Sequence, residues 1–431
     1  MRRSRAVELS TVTNTESPGS LLIAFRAVTI CALMAAAAAR FGMRLLRSLL
    51  ISHRTFPAEM AASAAAQCLV RLGPAYIKAG QLFSTRVDVL PASLCRALAY
   101  LHDRLPPMPD LDPVAVLPTA LRAQIQGGTL SAEAAGSIAC VYRARLRDGR
   151  DVAVKVRRPG IERTLSRDIA LLRAAARLAE RLPGMRGVPL AEMVTQVTEC
   201  VRQQLDFVRE AAALRDLREN LAAMKDVRIP AVIEEYSGPG VLVMEYIAGL
   251  RRGTLPGQTN RTALVSALHA VYHMLFLDGF VHCDLHPGNL YPMPDGSVVL
   301  VDAGFTRLLT EDARRKFASF FYMMSRGDGA ACADIVLSTA RSGSATDTEG
   351  FRESMVRLVE NNSRASVGDF DLVGFTIRLF AIQREHGLYA DPQFVFPVLS
   401  LIVLEGSLRA ACRDVDFQME ALPFVLRGLM K

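Results

Sequence analysis

At 431 residues, 51% of them hydrophobic and 22% charged, the chain is too long for one simple core and too apolar for a disordered one, so two lobes with extensions are expected. Its formal charge of +8 is uneven: residues 1–56 hold eight Arg and two Glu, so the nearly balanced remainder argues against nucleic-acid binding, while the basic arm suits an anionic surface. Eight cysteines with no CxxC pair and no Cys/His cluster argue against structural zinc, a disulfide framework or secretion, and place the chain in a reducing, cytoplasmic setting.

Taken in chain order, residues 1–20 are poor in large apolar side chains and read as a disordered tail. Residues 21–55 form a basic, apolar helical segment. Its run Ala27–Ala39 is bracketed by Arg26 and Arg40, and at thirteen residues it spans about 20 Å, short of the ~30 Å hydrocarbon core. A membrane-surface helix and a helix packed on the body both remain open, and a signal peptide lacks its cleavage site. Residues 56–128 continue as a helical extension ending in a loop and short helix at Leu111–Leu130. Strand-like alternation over 138–157 turns at Asp148-Gly149, a hairpin signal. A helical tract over 161–225 is broken at Pro183-Gly184 and Pro189. Val241–Ile247 reads as a buried strand, and from Thr262 the pattern is mainly helical. A strand-bearing lobe with a helical insert (129–250) and a helical lobe (251–431) thus flank a cleft. Past Phe417 no apolar run reaches spanning length, so any membrane attachment falls to the N-terminal helix or an apolar surface.

Only five of the 51 basic residues are lysines. Where a solvated charge suffices the chain uses Arg, so a lysine in a specific context is a candidate for a compact phosphate contact. Lys225, Lys316 and Lys431 have no such context; Lys155, in Val152-Ala153-Val154-Lys155-Val156, has one. Farther on, His282-Cys283-Asp284-Leu285-His286-Pro287-Gly288-Asn289 precedes the apolar Val298–Val301 and Asp302-Ala303-Gly304. An Asp, an Asn five residues later and an Asp thirteen beyond that have the spacing of a kinase catalytic loop and metal-binding segment. Mg²⁺ wants oxygen ligands, which Asn289 and Asp302 supply with phosphate oxygens, while Asp284 orients a nucleophile and accepts its proton. Lys155 meets the phosphates of ATP, and a helical carboxylate holds it: Glu210 by context, with Glu219 and Glu180 as weaker alternatives. Glu245 and Tyr246 end the VLVMEY strand where a hinge presents backbone groups to adenine.

Leu72-Gly73-Pro74, Ile77-Lys78-Ala79-Gly80-Gln81, Ser84-Thr85-Arg86 and Leu90-Pro91 resemble the KxGQ block that marks the AarF/UbiB atypical kinases. Val152–Gly160, Leu205-Asp206-Phe207 with Arg209-Glu210-Ala211, and the 282–289 loop resemble further blocks in the same order, over about residues 60–415. The resemblance implies an α+β, protein-kinase-like bilobal fold with an N-terminal helical extension that lays Lys78 and Gln81 over the active site as a gate. It implies Mg²⁺-dependent ATP binding, with ATPase or small-molecule and lipid kinase activity supporting isoprenoid-quinone metabolism. Gln81 lies one helical turn from Lys78, on the same face; without the resemblance this is an amphipathic helix with a surface lysine.

Ala134-Ala135-Gly136-Ser137-Ile138-Ala139-Cys140 replaces a Gly-rich phosphate loop and is similar to the family's Ala-rich loop, from which Ala135, Gly136 and Ser137 are expected to border ATP. Three departures stand out. Gly136 replaces an Ala and is expected to loosen the loop, Cys140 replaces a Gln, and Gln204 stands where the Glu-x-Asp motif has its Glu, leaving Asp206 alone. A protein kinase and a non-catalytic nucleotide-sensing scaffold are the competing readings. The lid over the site speaks against the first, and Gln204 is the feature favouring the second.

Overall fold

The computed structural model describes residues 20–51, 57–84, 92–99, 113–181, 190–250, 258–286, 288–342, 346–363, 370–411 and 415–431. The expected tail lies outside these residues except for Ser20, and so do the breaks at Pro183-Gly184 and Pro189.

Helix α1 (Ser20–Ile51) continues through Arg26 and Arg40, giving 32 residues and a length of about 48 Å. The apolar run Ala27–Ala39 is therefore only the middle of a longer helix. Among the described residues α1 alone, over Ala24–Met43, is long and apolar enough to cross a membrane by length and composition. Inside that stretch, however, Arg26 is committed to the body. Its guanidinium forks onto Asp168, with Nε to Oδ1 at 2.7 Å and Nη2 to Oδ2 at 2.9 Å, and Nη2 also donates to the Leu72 carbonyl at 2.5 Å. Asp168 is fully buried, so the pair fixes the near end of α1. Phe25, Val28, Met34 and Met43 remain exposed along it.

Helices α2 (Pro57–Leu72), α3 (Pro74–Ser84) and α4 (Ala92–Ala99) pack on one another. The turn between α2 and α3 needs Gly73 at φ 107°, a value that L side chains rarely adopt. Two short helices follow, α5 (Pro113–Val116) and α6 (Thr119–Gln124). They cover one face of a sheet whose strands β1 (Ser131–Ala135), β2 (Ala139–Arg145) and β3 (Asp151–Arg157) run antiparallel, the last two joined through Gly149 at φ 87°. Helices α7 (Ile161–Ala179), α8 (Leu190–Gln203) and α9 (Phe207–Asn220) come next. Then β4 (Val227–Arg228) leads to β5 (Val241–Glu245), which completes the order β1-β2-β3-β5. Helix α3 rests on α7 and α8.

Strand periodicity decides what faces the cleft. Val152, Val154 and Val156 are fully buried in a cluster with Leu121 of α6 and Leu117 from the link between α5 and α6. Ala153 and Lys155 therefore point the other way.

The second lobe begins with α10 (Gln258–His273), earlier than the sequence pattern suggested. Four short strands interrupt the helical lobe, β6 (Phe280–His282), β7 (Leu290–Pro292), β8 (Val298–Leu300) and β9 (Thr306–Leu308), of which only the third had a strand signal in the sequence. Strands β6 and β9 pair antiparallel, as do β7 and β8, while β4 reaches across to lie parallel to β8. The rest is α11 (Glu311–Ser325), α12 (Gly329–Thr339), β10 (Arg341–Ser342), α13 (Thr348–Ser363), α14 (Leu372–Glu385), β11 (Leu388–Tyr389), α15 (Pro392–Ala411) and α16 (Phe417–Met430). Tyr272, Phe276 and Phe424 stack at their centre with centroids 5.8 and 5.9 Å apart, in the tilted arrangement aromatic pairs favour. The result is an α+β bilobal fold with a helical extension.

Removing Arg26 strands the buried Asp168 without its partner. Arg26→Ala is expected to cost about 3–5 kcal/mol in urea unfolding and to open the 20–56 region to limited proteolysis. An unchanged midpoint would show that α1 is held by other contacts.

Candidate active site

A cleft of about 1670 Å³, its open mouth included, separates the lobes, and every site residue singled out in the sequence except Asp284 borders it. Lys155 enters from β3 because the alternation above turns it inward, opposite Leu242 of β5. Glu210 comes from the first turn of α9. Asp206 caps that helix by accepting from the Val208 and Arg209 amides, both at 3.1 Å, which sets the entry angle of the chain. The Glu210 carboxylate accepts from Lys155 Nζ at 2.7 and 2.9 Å. Among the three helical candidates the geometry selects Glu210, since Glu180 instead accepts from the Ala191 amide and Glu219 is exposed.

Asp302 Oδ2 approaches the same ammonium at 3.0 Å, and the Phe207 ring lies 5.3 Å from it. Burial alone would weaken the charge on Lys155, but Asp302 and Glu210 outweigh it and hold the ammonium above the usual lysine range. Burial likewise pushes the Glu210 carboxyl up against the pull of Lys155, with Asp302 adding to the push. Enclosure opposes ionisation of Asp302 too, yet Lys155 and then Lys78 hold it below the ordinary carboxylate range. Two carboxylates thus share one buried cation, leaving the trio with excess negative charge.

The catalytic-loop segment runs between β6, which pairs with β9, and β7, which pairs with β8. His282 is buried, and burial lowers its basicity, so the ring is neutral; its Nδ1 accepts the Asp284 amide at 3.2 Å and Nε2 donates to the Val301 carbonyl at 3.3 Å. Asn289 Nδ2 donates to the Asp284 carbonyl at 2.8 Å, which leaves its Oδ1 as the end that can ligate. Asp302 has φ 57°, the one non-glycine in the left-handed region among the described residues; residues held there are over-represented at functional sites. Its carboxylate with the Asn289 amide oxygen is a hard donor pair that suits Mg²⁺ if phosphate oxygens fill the remaining positions. Among the described residues no group of three His, Cys, Asp or Glu is arranged to hold a metal without such help.

Helix α3 brings Lys78 over the loop, Nζ 3.5 Å from Asp284 Oδ2, and Gln81 borders the cleft beside it. His286 Nε2 sits 3.9 Å from the other Asp284 oxygen, a neighbour the motif spacing did not single out. The Ala-rich segment is the turn between β1 and β2. The expected loosening at Gly136 is not what the geometry shows: its carbonyl accepts from Arg158 Nε and Nη2 at 3.1 and 2.7 Å, and its amide donates to Ala139 at 2.8 Å. Ala135 ends β1 beside the turn, and Ser137 lies within it. Glu245 and Tyr246 border the cleft at the end of β5, but the Glu245 side chain is engaged by Arg228 at 2.5 Å and the Ala231 amide at 3.2 Å. The Glu245 amide is spent as well, on the Ala231 carbonyl at 2.8 Å. The Tyr246 hydroxyl donates to Glu133 at 3.3 Å.

An ABC1 atypical kinase-like domain model matches residues 100–336, more than half the chain. The chain belongs to the AarF/UbiB family of atypical kinases. Its relatives include the probable protein kinase UbiB of Marinobacter nauticus, 30% identical with 83% of this chain and 68% of the relative aligned, and that of Pseudomonas aeruginosa, 30% identical over 83% and 70%. The counterpart in Azotobacter vinelandii is 28% identical over 84% and 70%. Among solved structures, a Mycobacterium tuberculosis protein in complex with erythromycin superposes with a TM-score of 0.52 at 20% identity, covering 82% of this chain and 92% of that one, a likeness of fold. The AarF/UbiB kinase-like fold thus carries the cluster described above.

In this AarF/UbiB chain Lys155→Met leaves Glu210 buried beside a second carboxylate, at an expected cost of about 3–5 kcal/mol. Adding Glu210→Gln to that variant should restore part of the loss, because a neutral amide no longer needs a counterion. Additive losses in urea titrations would contradict the shared-cation arrangement.

Proposed function

We propose that the chain binds Mg²⁺-ATP in the interlobe cleft and acts as an ATPase or small-molecule and lipid kinase of UbiB type, serving isoprenoid-quinone or related lipid metabolism. The observation that carries this reading is Lys78 at 3.5 Å from Asp284. A helix-borne ammonium occupies the place where a bulky peptide hydroxyl would have to reach its proton acceptor, which favours water or a slender acceptor over a protein substrate. Lys155, steadied by Glu210, meets phosphate oxygens as a compact charge. The methyl-lined turn at Ala135, Gly136 and Ser137 borders the phosphates, and the backbone at Glu245 and Tyr246 borders the base. Asp284 accepts the proton of the attacking hydroxyl or water, while Lys78 and Gln81 gate access to it. When bound on Asn289 and Asp302, Mg²⁺ supplies electrostatic stabilisation of the transferring phosphoryl group.

The Asp302 backbone conformation suits Asn as well as Asp, so Asp302→Asn removes charge without disturbing the turn. Mg²⁺-dependent ATP hydrolysis should fall by roughly 10²-fold or more in this variant, and by about 10²–10⁴-fold in Asp284→Asn. Unchanged turnover in Asp302→Asn would remove it from the metal site. Intact nucleotide binding with no hydrolysis by the wild type, with or without anionic vesicles, would favour the scaffold reading.

Helix α1 adds a peripheral membrane contact to the proposal. Its exposed Phe25, Val28, Met34 and Met43 offer apolar area on a helix flanked by arginines, suited to an anionic bilayer surface. Deleting residues 1–56 should abolish flotation with vesicles containing anionic phospholipid. Flotation unaffected by that deletion would refute the α1 version.

A further inference from the structure

Gln204 follows α8 directly, at the corner leading into α9. It is 96% buried, yet its Nε2 finds no hydrogen-bond partner among the described residues. The side chain borders the interlobe cleft beside the anionic cluster. A point at the Cβ position of a residue replacing Gly304 lies 3.6 Å from Gln204 Cγ, 3.2 Å from Asp302 Oδ1 and 3.4 Å from Glu210 Oε2. An enclosed amide N–H₂ without an acceptor is unfavourable, and such groups mark places where an acceptor is to be found. The acceptor side of this cleft is where phosphate oxygens belong.

Position 204 also fixes the charge of the cluster. Glu210, Asp302 and Asp284 already share Lys155 and Lys78, with the His286 ring 3.9 Å from Asp284. A carboxylate at 204 would add a further anion beside Glu210 and Asp302, a repulsion that one more cation would have to offset. Asp206, two residues on, gives no help, since it is spent on capping α9. Gln removes the charge and supplies two donors in the same volume.

On the reading that the cleft binds ATP, we infer that Gln204 is a polyphosphate-binding donor, through which this chain grips the nucleotide directly with one divalent cation fewer than a carboxylate at that position would require. The residue is thereby a determinant of metal dependence. Charge-assisted N–H···O contacts of this kind are among the stronger hydrogen bonds available to a side chain.

The test is calorimetric titration of the full-length wild type, Gln204→Met and Gln204→Glu with ATP, in EDTA and across a range of Mg²⁺ concentrations, after matching their thermal melts. The Met variant should bind ATP about tenfold or more weakly in EDTA and in Mg²⁺ alike, having lost a hydrogen bond to a charged group. The Glu variant should lose still more in EDTA, recover in Mg²⁺, and show affinity rising by one further power of Mg²⁺ concentration than the wild type. If both variants bind ATP as the wild type does, with the same Mg²⁺ dependence, the inference is overturned while the ATP site stands. If the wild type binds no ATP under any of these conditions, the underlying reading falls and the inference with it.

Discussion

The ammonium of Lys155 is shared by two carboxylates that arrive from opposite sides of the cleft. Glu210 comes through the helical insert and Asp302 through the turn after β8, so one cation pins three segments that are far apart in sequence. A buried ion pair adds little net stability, because desolvation offsets most of the attraction. Its effect is on geometry. The ammonium cannot leave without setting two carboxylates against each other, and the trio as a whole favours another cation nearby. That surplus of negative charge is what a Mg²⁺-nucleotide site needs and what an ordinary packed interior avoids.

The helix lying over this cluster depends on a second charge pair at some distance from it. Arg26 ties α1 to Asp168 on α7 and to the carbonyl of Leu72 where α2 ends. Helix α3 follows immediately after Gly73 and rests on α7 and α8. The position of Lys78 above Asp284 is therefore continuous, through packed helices, with the anchoring of the N-terminal helix. Any surface that draws α1 away from the body acts on the same set of contacts.

Lys155 was legible in the sequence because period-two alternation in a strand is a strong physical signal and VAVKV leaves one polar residue on an apolar face. The Asp284, Asn289 and Asp302 spacing was legible for a similar reason, being local to one loop and one turn. Glu210 was only one of three candidates, since nothing local distinguishes a helical carboxylate that faces a lysine from one that faces water. Lys78 had no signal of its own and rested on the family resemblance. The apolar run of α1 reads short because Arg26 counts as an interruption in sequence, whereas its partner Asp168 stands 142 positions away. The strands at 280–282, 290–292 and 306–308 are three residues each, too short for alternation to show. Gly136 was expected to loosen its turn; the Arg158 guanidinium one residue past β3, invisible to local propensity, holds it.

The scarcity of lysine gives the whole account a direct chemical readout. An acyl-phosphate derivative of ATP transfers its acyl group to lysines lying beside the bound phosphates, and mass spectrometry can then assign the modified positions among the five lysines of the chain. Labelling that is suppressed by excess Mg²⁺-ATP should appear at Lys155 and Lys78 and be absent from Lys225, Lys316 and Lys431. Labelling confined to those three, or labelling of Lys155 and Lys78 that ATP does not suppress, would contradict a nucleotide site between the lobes.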